Sequence, residues 1–252
     1  MSGVHGHALH YHGHSPVHRA AAEVKLVVLL VFVISVVATP AQAVWVFSGY
    51  VLILMVLLAI SAVPPGFFLR RLAIDIPFVL FALLIPWLGA EPKVAVGPFT
   101  LSEPGLWGAW NILAKATLGA GASILLVATT EVPHLLAGLG RLRVPAIITS
   151  IASFMIRYLE VIAGELRRTR IAMSARGYRP TRLSDAKPLG LAAGALFIRS
   201  YERGERVHQA MLARGFTGSM PDLDEPASPR WWPGLWPAAA AAALAVVGRV
   251  IS

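Results

Sequence analysis

The sequence predicts an all-α polytopic membrane bundle of about five spans, with two long amphipathic helices on its cytoplasmic side. Hydrophobic residues fill 56% of the 252 positions and charged residues only 14%, against about 25% charged in an ordinary soluble domain. No Asp, Glu, Lys or Arg occurs between Leu26 and Leu69, and one bilayer crossing needs about 20 apolar residues. The charges are instead concentrated: 15 of the 22 Lys and Arg, and 9 of the 13 Asp and Glu, fall between Glu131 and Arg230. The absence of cysteine excludes disulfide and thiolate chemistry.

Residues 1–23 read as a His-rich cytoplasmic tail and residues 24–130 as a four-span bundle. Spans are predicted at 24–39, 43–63, 72–89 and 106–129, with a last span at 231–248 inside the C-terminal segment 231–252. Thr39-Pro40 divides the first long apolar run, because proline disfavours helix at the residue before it. Arg19 and Lys25, the apolar run Leu26–Val37 and Ala41-Gln42-Ala43 also imitate a cleavable signal peptide. A second apolar segment, Val44–Val63, follows at once and the polar leader is long, which favours a retained span. Positive charge marks the cytoplasmic side, so His18, Arg19, Lys25 and Arg70-Arg71 put the N-terminus inside. Ala90–Gly105 then falls outside. Trp45, Trp87, Trp107 and Trp110 suit the outer interface, and Phe67, Phe68, Trp231 and Trp232 the inner one.

Residues 131–230 are expected to form a charged, net-positive cytoplasmic block. A helix over 145–176 puts Ile147, Ile151, Phe154 or Met155, Tyr158, Ile162 and Leu166 on one stripe. A second, over 188–214, carries Leu196, Phe197, Tyr201, Val207 and Met211, with Glu202 and Arg206 spaced to pair. Its first turns are small residues from Gly190 to Ala195, which permit close helix contact. Nucleic-acid binding is disfavoured although the pI is near 10.6. Cytoplasmic positive charge is a normal topology signal, and no stacking aromatics interleave with the arginines.

The most specific feature is a repeated hexapeptide. Met173-Ser174-Ala175-Arg176-Gly177-Tyr178 recurs as Met211-Leu212-Ala213-Arg214-Gly215-Phe216, each copy closing one of the two helices. One copy alone is an ordinary helix stop: glycine accepts the left-handed conformation, and arginine complements the helix dipole. Two copies on neighbouring helices ask for more. Small neighbours leave each guanidinium free to reach past the helix end, where it suits bidentate pairing with carboxylates of another protein.

From these motifs the chain resembles the transmembrane T component of energy-coupling factor importers, and most closely its cobalt-type CbiQ family. The resemblance runs through Thr129-Thr130-Glu131-Val132-Pro133, Leu139-Gly140-Arg141-Leu142-Arg143-Val144-Pro145 and Ile156-Arg157-Tyr158 to the first Ala-Arg-Gly. It resumes at Ile198-Arg199-Ser200-Tyr201-Glu202-Arg203-Gly204 and closes on the second, while Val24-Lys25-Leu26 resembles the family's start. It implies that 131–230 is a coupling-helix region, in which Ala175, Arg176, Gly177, Ala213, Arg214 and Gly215 contact two cytoplasmic ATPase subunits. ATP and Mg would be held by those ATPases, and the cargo, cobalt first, then nickel, with a vitamin also open, would be bound by a separate membrane subunit. The setting implied is a prokaryotic cell membrane. In keeping with this, the chain has no phosphate-binding Gly-Lys-Ser/Thr loop.

Other residues invite chemistry. His5, His7, His10, His12 and His14 suit transition metals, although a tail with no fixed second shell chelates weakly. Lys115 and Asp75 fall within spans, where ionisable groups are costly and therefore functional candidates. Asp75 is one turn from Arg70-Arg71, so an interfacial ion pair is expected. Lys115 either snorkels or faces the bundle or a partner, and Arg157 is expected to orient its helix at the membrane surface. His134 and His208 lack the spacing of a metalloenzyme site. The alternative class is a channel or membrane enzyme with a cytoplasmic regulatory domain. An enzyme should cluster acids, bases or ligands, and a channel should line several spans with polar residues. The spans offer few beyond Lys115, Asn111 and Asp75.

Overall fold

A computed structural model of the chain describes residues 15–88, 92–96, 99–179, 187–218 and 234–251. Pro16 at the first helical position and Ser15 as N-cap start a short α1, Pro16–Arg19. The first two spans follow as α2, Ala22–Ala38, and α3, Val44–Ser61. Between them Thr39 ends α2 as expected from the following proline. Its hydroxyl donates to Ser35 O at 2.8 Å and shares a hydrogen bond with the Tyr50 hydroxyl at 2.9 Å. Both residues are fully buried, so this polar cluster satisfies itself where no water is available.

The third span differs from expectation. α4, Pro65–Leu72, a 3-10 turn, Ala73–Asp75, and α5, Ile76–Leu88, follow one another without a break. The predicted 72–89 segment therefore begins inside a longer helical run, and Arg70-Arg71 lie on helix. A second difference falls between spans. β1, Lys93–Val96, pairs antiparallel with β2, Phe99–Ser102, with Lys93 opposite Ser102. Four-residue strands are too short for periodicity to announce. The hairpin delivers Ser102 as N-cap of α6, Glu103–Thr129, where its hydroxyl accepts the Gly105 N–H at 3.2 Å. α7, Val132–Arg141, follows, then α8, Ala146–Ala175, α9, Lys187–Leu212, and α10, Trp236–Ile251.

The chain divides into two compact units. In the membrane unit (Gly6–Leu139 with Glu225–Ser252), α2 packs on α6 and α10, α3 on the same two helices, and α5 on α6. Phe32, Val36, Val46, Phe47, Tyr50, Leu118 and Ala241 belong to its buried core. Meanwhile Leu52, Met55, Phe78, Leu80, Phe81 and Leu84 are exposed. Large apolar side chains turned outward are what a lipid-facing bundle requires. α3, α6 and α8 are each long and apolar enough to cross a membrane by length and composition. For α8 this adds to the sequence reading, which treated it as cytoplasmic.

Small residues set the helix spacings. A Cβ on Gly105 would stand 2.8 Å from Pro86 Cα and 2.9 Å from Ile85 O, both backbone atoms, whereas Gly119 has nothing within 4 Å. Gly105→Ala is therefore expected to cost about 1–3 kcal/mol by overpacking and to lower the melting temperature of the purified protein. Gly119→Ala should leave it unchanged or higher. Equal melting temperatures for the two variants would contradict the packing of α5 on α6.

The candidate coupling site

The second unit, within Gly140–Asp224, is built on α8 and α9. Its inner seam is formed by half-buried residues, Ala192, Leu196, Ser200, Arg203 and Val207 on α9. Across it Arg203 pairs with Glu165. The expected Glu202–Arg206 pair is present at 4.0 Å, and Phe154 stacks on Tyr158 with ring centroids 6.5 Å apart. Most of the predicted apolar stripe is not in the seam: Ile147, Ile151, Met155 and Ile162 are exposed, as are Phe197 and Tyr201 on α9.

Both helices end in the same structure. Arg176 is the C-cap of α8, and Gly177 adopts φ +82°. Tyr178 N–H reaches back to Met173 O at 3.0 Å and Gly177 N–H to Ser174 O at 3.0 Å. At the end of α9, Gly215 has φ +82°, Phe216 N–H donates to Met211 O at 3.0 Å and Gly215 N–H to Leu212 O at 3.0 Å. This is a Schellman motif twice over. It explains most of the repeat: glycine supplies the left-handed residue, while methionine and the aromatic occupy the positions whose side chains habitually meet in this motif. The arginine is not explained by the cap. Arg176 and Arg214 are exposed, and neither guanidinium has an ion-pair or hydrogen-bond partner among the described residues. Ala175 and Ala213, also exposed, leave the space beside each one open.

The remaining candidates separate. Arg157 is exposed on α8. Lys115 Nζ donates to Val37 O at 2.8 Å, in the last turn of α2, and so caps a neighbouring helix. The ion pair expected of Asp75 is not formed. Asp75 is only 6% exposed and its Oδ2 has no hydrogen-bond partner among the described residues, while Arg71 lies over the Phe67 ring at 4.1 Å. The tighter winding of the 3-10 turn breaks the i,i+4 register that would have joined Arg71 to Asp75. His5, His7, His10, His12 and His14 lie outside the described residues. Among the described residues no group of three or more His, Asp or Glu is placed to hold a metal ion.

Sequence reasoning missed Lys25 as more than a topology signal. Its ammonium donates to His18 O at 3.2 Å, Thr129 O at 3.0 Å and Thr130 Oγ1 at 2.9 Å. The available signal was that Val24-Lys25-Leu26 and Thr129-Thr130 both belong to the text that carries the family resemblance.

Fold and site define a polytopic helical membrane protein whose two-helix unit ends in a matched pair of exposed, capped arginines. Residues 13–223 match the CbiQ family, described as cobalt transport protein, and the chain belongs to that family of transporter membrane components. It is 28% identical to the energy-coupling factor transporter transmembrane protein EcfT of Streptococcus thermophilus, over 82% of this chain and 83% of that one. It is 26% identical to a putative fused cobalt transport protein CbiMQ of Methanocorpusculum labreanum, covering 82% of this chain and 36% of the fused one. With the nickel permease LarQ of Lactiplantibacillus plantarum it shares 31% identity over 56% of this chain and 45% of the relative.

Proposed function

We propose that this chain is the non-catalytic coupling subunit of an ATP-driven metal importer in a prokaryotic plasma membrane, with its N-terminus in the cytoplasm. Arg176 and Arg214 each engage a carboxylate of one of two cytoplasmic ATPases, which hold the ATP and Mg. α8 and α9 pass the ATPase movement to a separate membrane subunit that binds the cargo. The observation that carries this reading is the pair of matching helix ends, each presenting, just before a left-handed glycine, a guanidinium with no partner among the described residues. The uncovered apolar faces of α8 and α9 support it further, since they provide surface for a membrane partner. Cobalt is the first cargo to test and nickel the second, because relatives are named for both metals.

Purification of the tagged chain from native membranes tests the assembly: two ATPase copies and one further membrane protein should accompany it. Recovery of the chain alone under conditions that keep other transporters intact would oppose the reading. The histidine tail gives a separate prediction. Deleting residues 2–14 should leave assembly intact and lower metal uptake only when the metal is scarce, as a weak local chelator would. Loss of assembly after that deletion would make the tail structural.

A further inference from the structure

The first turn of α2 holds the corner between α6 and α7 by two independent contacts. One is electrostatic. Lys25 brings its ammonium to the carbonyl of Thr129, the last residue of α6, and to the hydroxyl of Thr130, both buried. A helix C-terminus leaves carbonyls without intrahelical donors and carries partial negative charge, so a cation placed there is doubly favourable. The third Lys25 donor goes to His18 O in α1. The other contact is steric. A Cβ on Gly138 of α7 would meet Glu23 N at 2.9 Å and Ala22 Cβ at 3.0 Å, so α7 rests directly on the backbone that starts α2.

Lys25 also borders an apolar cavity of about 180 Å³, together with Val24, Leu29, Phe32, Leu125 and Trp236. An ammonium has three N–H donors, and here three acceptors engage it. It has no donor left for an anionic cavity ligand, which favours a clasp over a binding site. At the opposite end of α2, Lys115 of α6 caps Val37 O. α2 is therefore tied to α6 at both of its own ends.

We propose that Lys25 is a positioning residue, whose clasp with Gly138 keeps the α6–α7 corner and the start of α2 as one rigid piece throughout the transport cycle. α7 ends at Arg141, where the chain passes into the unit that carries α8 and α9. Displacement of those helices then reaches the bundle as movement of the whole corner. This role rests on the coupling function proposed above.

In the assembled, reconstituted transporter, Gly138→Ala puts a Cβ 2.9 Å from Glu23 N and 3.0 Å from Ala22 Cβ, so α7 must shift away from the start of α2. It should retain the ATPases but lower metal uptake per ATP by at least about threefold, through overpacking. Gly140→Ala, on the same helix with nothing within 4 Å, should leave uptake per ATP unchanged. Lys25→Met should retain the ATPases but lower uptake per ATP by about tenfold, through loss of a charge-assisted contact. Lys25→Arg should recover part of it. Thr130→Val, which removes one acceptor, should fall between and serves if Lys25→Met does not fold. Wild-type uptake per ATP in the Gly138→Ala, Lys25→Met or Thr130→Val variant would overturn the proposal, and so would an equal loss in Gly140→Ala. Absence of ATPases from the unmutated complex would instead sink the coupling function. Melting of the purified chain, lowered by Lys25→Met and Gly138→Ala but not by Gly140→Ala, would still decide whether the clasp exists.

Discussion

Replacing both Arg176 and Arg214 by alanine is expected to release the ATPase subunits on purification while the chain still enters the membrane. The side chains are exposed and the Schellman caps are made by backbone groups, so removing them leaves the helix ends intact. What is lost is the proposed interaction with the ATPase. Deleting one partner of a buried, hydrogen-bonded charge pair costs about 2–5 kcal/mol, which weakens docking at least about thirtyfold. Each single alanine variant should impair ATP-driven uptake, and the double variant should lose the ATPases altogether. Glutamate should be worse than alanine, since it sets like charges together and opposes the helix dipole. Lysine should rescue partly, because it keeps charge but not the planar fork. Gly177→Ala tests the cap itself. Forcing a Cβ into φ +82° costs about 1–2 kcal/mol, so it should displace Arg176 and show a milder version of the same defect. Normal uptake and retained ATPases in both single alanine variants would reduce the motifs to helix stops.

The second large effect is expected on the apolar faces of the same two helices. Phe197 is 71% exposed on α9 and Met155 is 68% exposed on α8. Leaving such faces in water is unfavourable, and each large side chain gains about 1.5–3 kcal/mol on full burial. Met155→Asp with Phe197→Asp should therefore detach the cargo-binding membrane subunit and abolish uptake. The ATPases, proposed to dock at the Ala-Arg-Gly ends of α8 and α9, should remain. Seam residues offer the contrast: Leu196→Asp, at a half-buried position, should disturb the α8–α9 pairing and so affect both partners. If Met155→Asp with Phe197→Asp retained a normal membrane partner and normal uptake, these faces would have no part in transport.

Much of the fold was legible because lipid imposes a simple code. Continuous apolar runs marked α2, α3, α6 and α10, and Pro40 marked the turn between the first two. The limits of α8 and α9 followed from Pro145 and Pro188 before or at their starts and from the two Ala-Arg-Gly stops. The parts that were missed depend on tertiary geometry. Strands of four residues hid the hairpin, and the 3-10 turn that removes Asp75 from its expected arginine leaves no compositional trace. Lys25 carried a correct meaning as a topology charge, which concealed its second role against Thr129, more than a hundred residues away in sequence. Gly105 and Gly138 became informative only once the opposing backbone was seen. The two arginines were legible because they repeat, and a repeat on separate helices is evidence that a single copy cannot give.

The most direct measurement of the coupling role uses the fact that the chain has no cysteine. Ala175→Cys and Ala213→Cys, introduced singly, place a reactive thiol beside each arginine without removing it. A short thiol-to-amine crosslinker applied to the assembled transporter should join each position to an ATPase subunit, and the double variant should capture two ATPases on one chain. Absence of ATPase crosslinks from both positions, in a complex that still imports its metal, would contradict the coupling role.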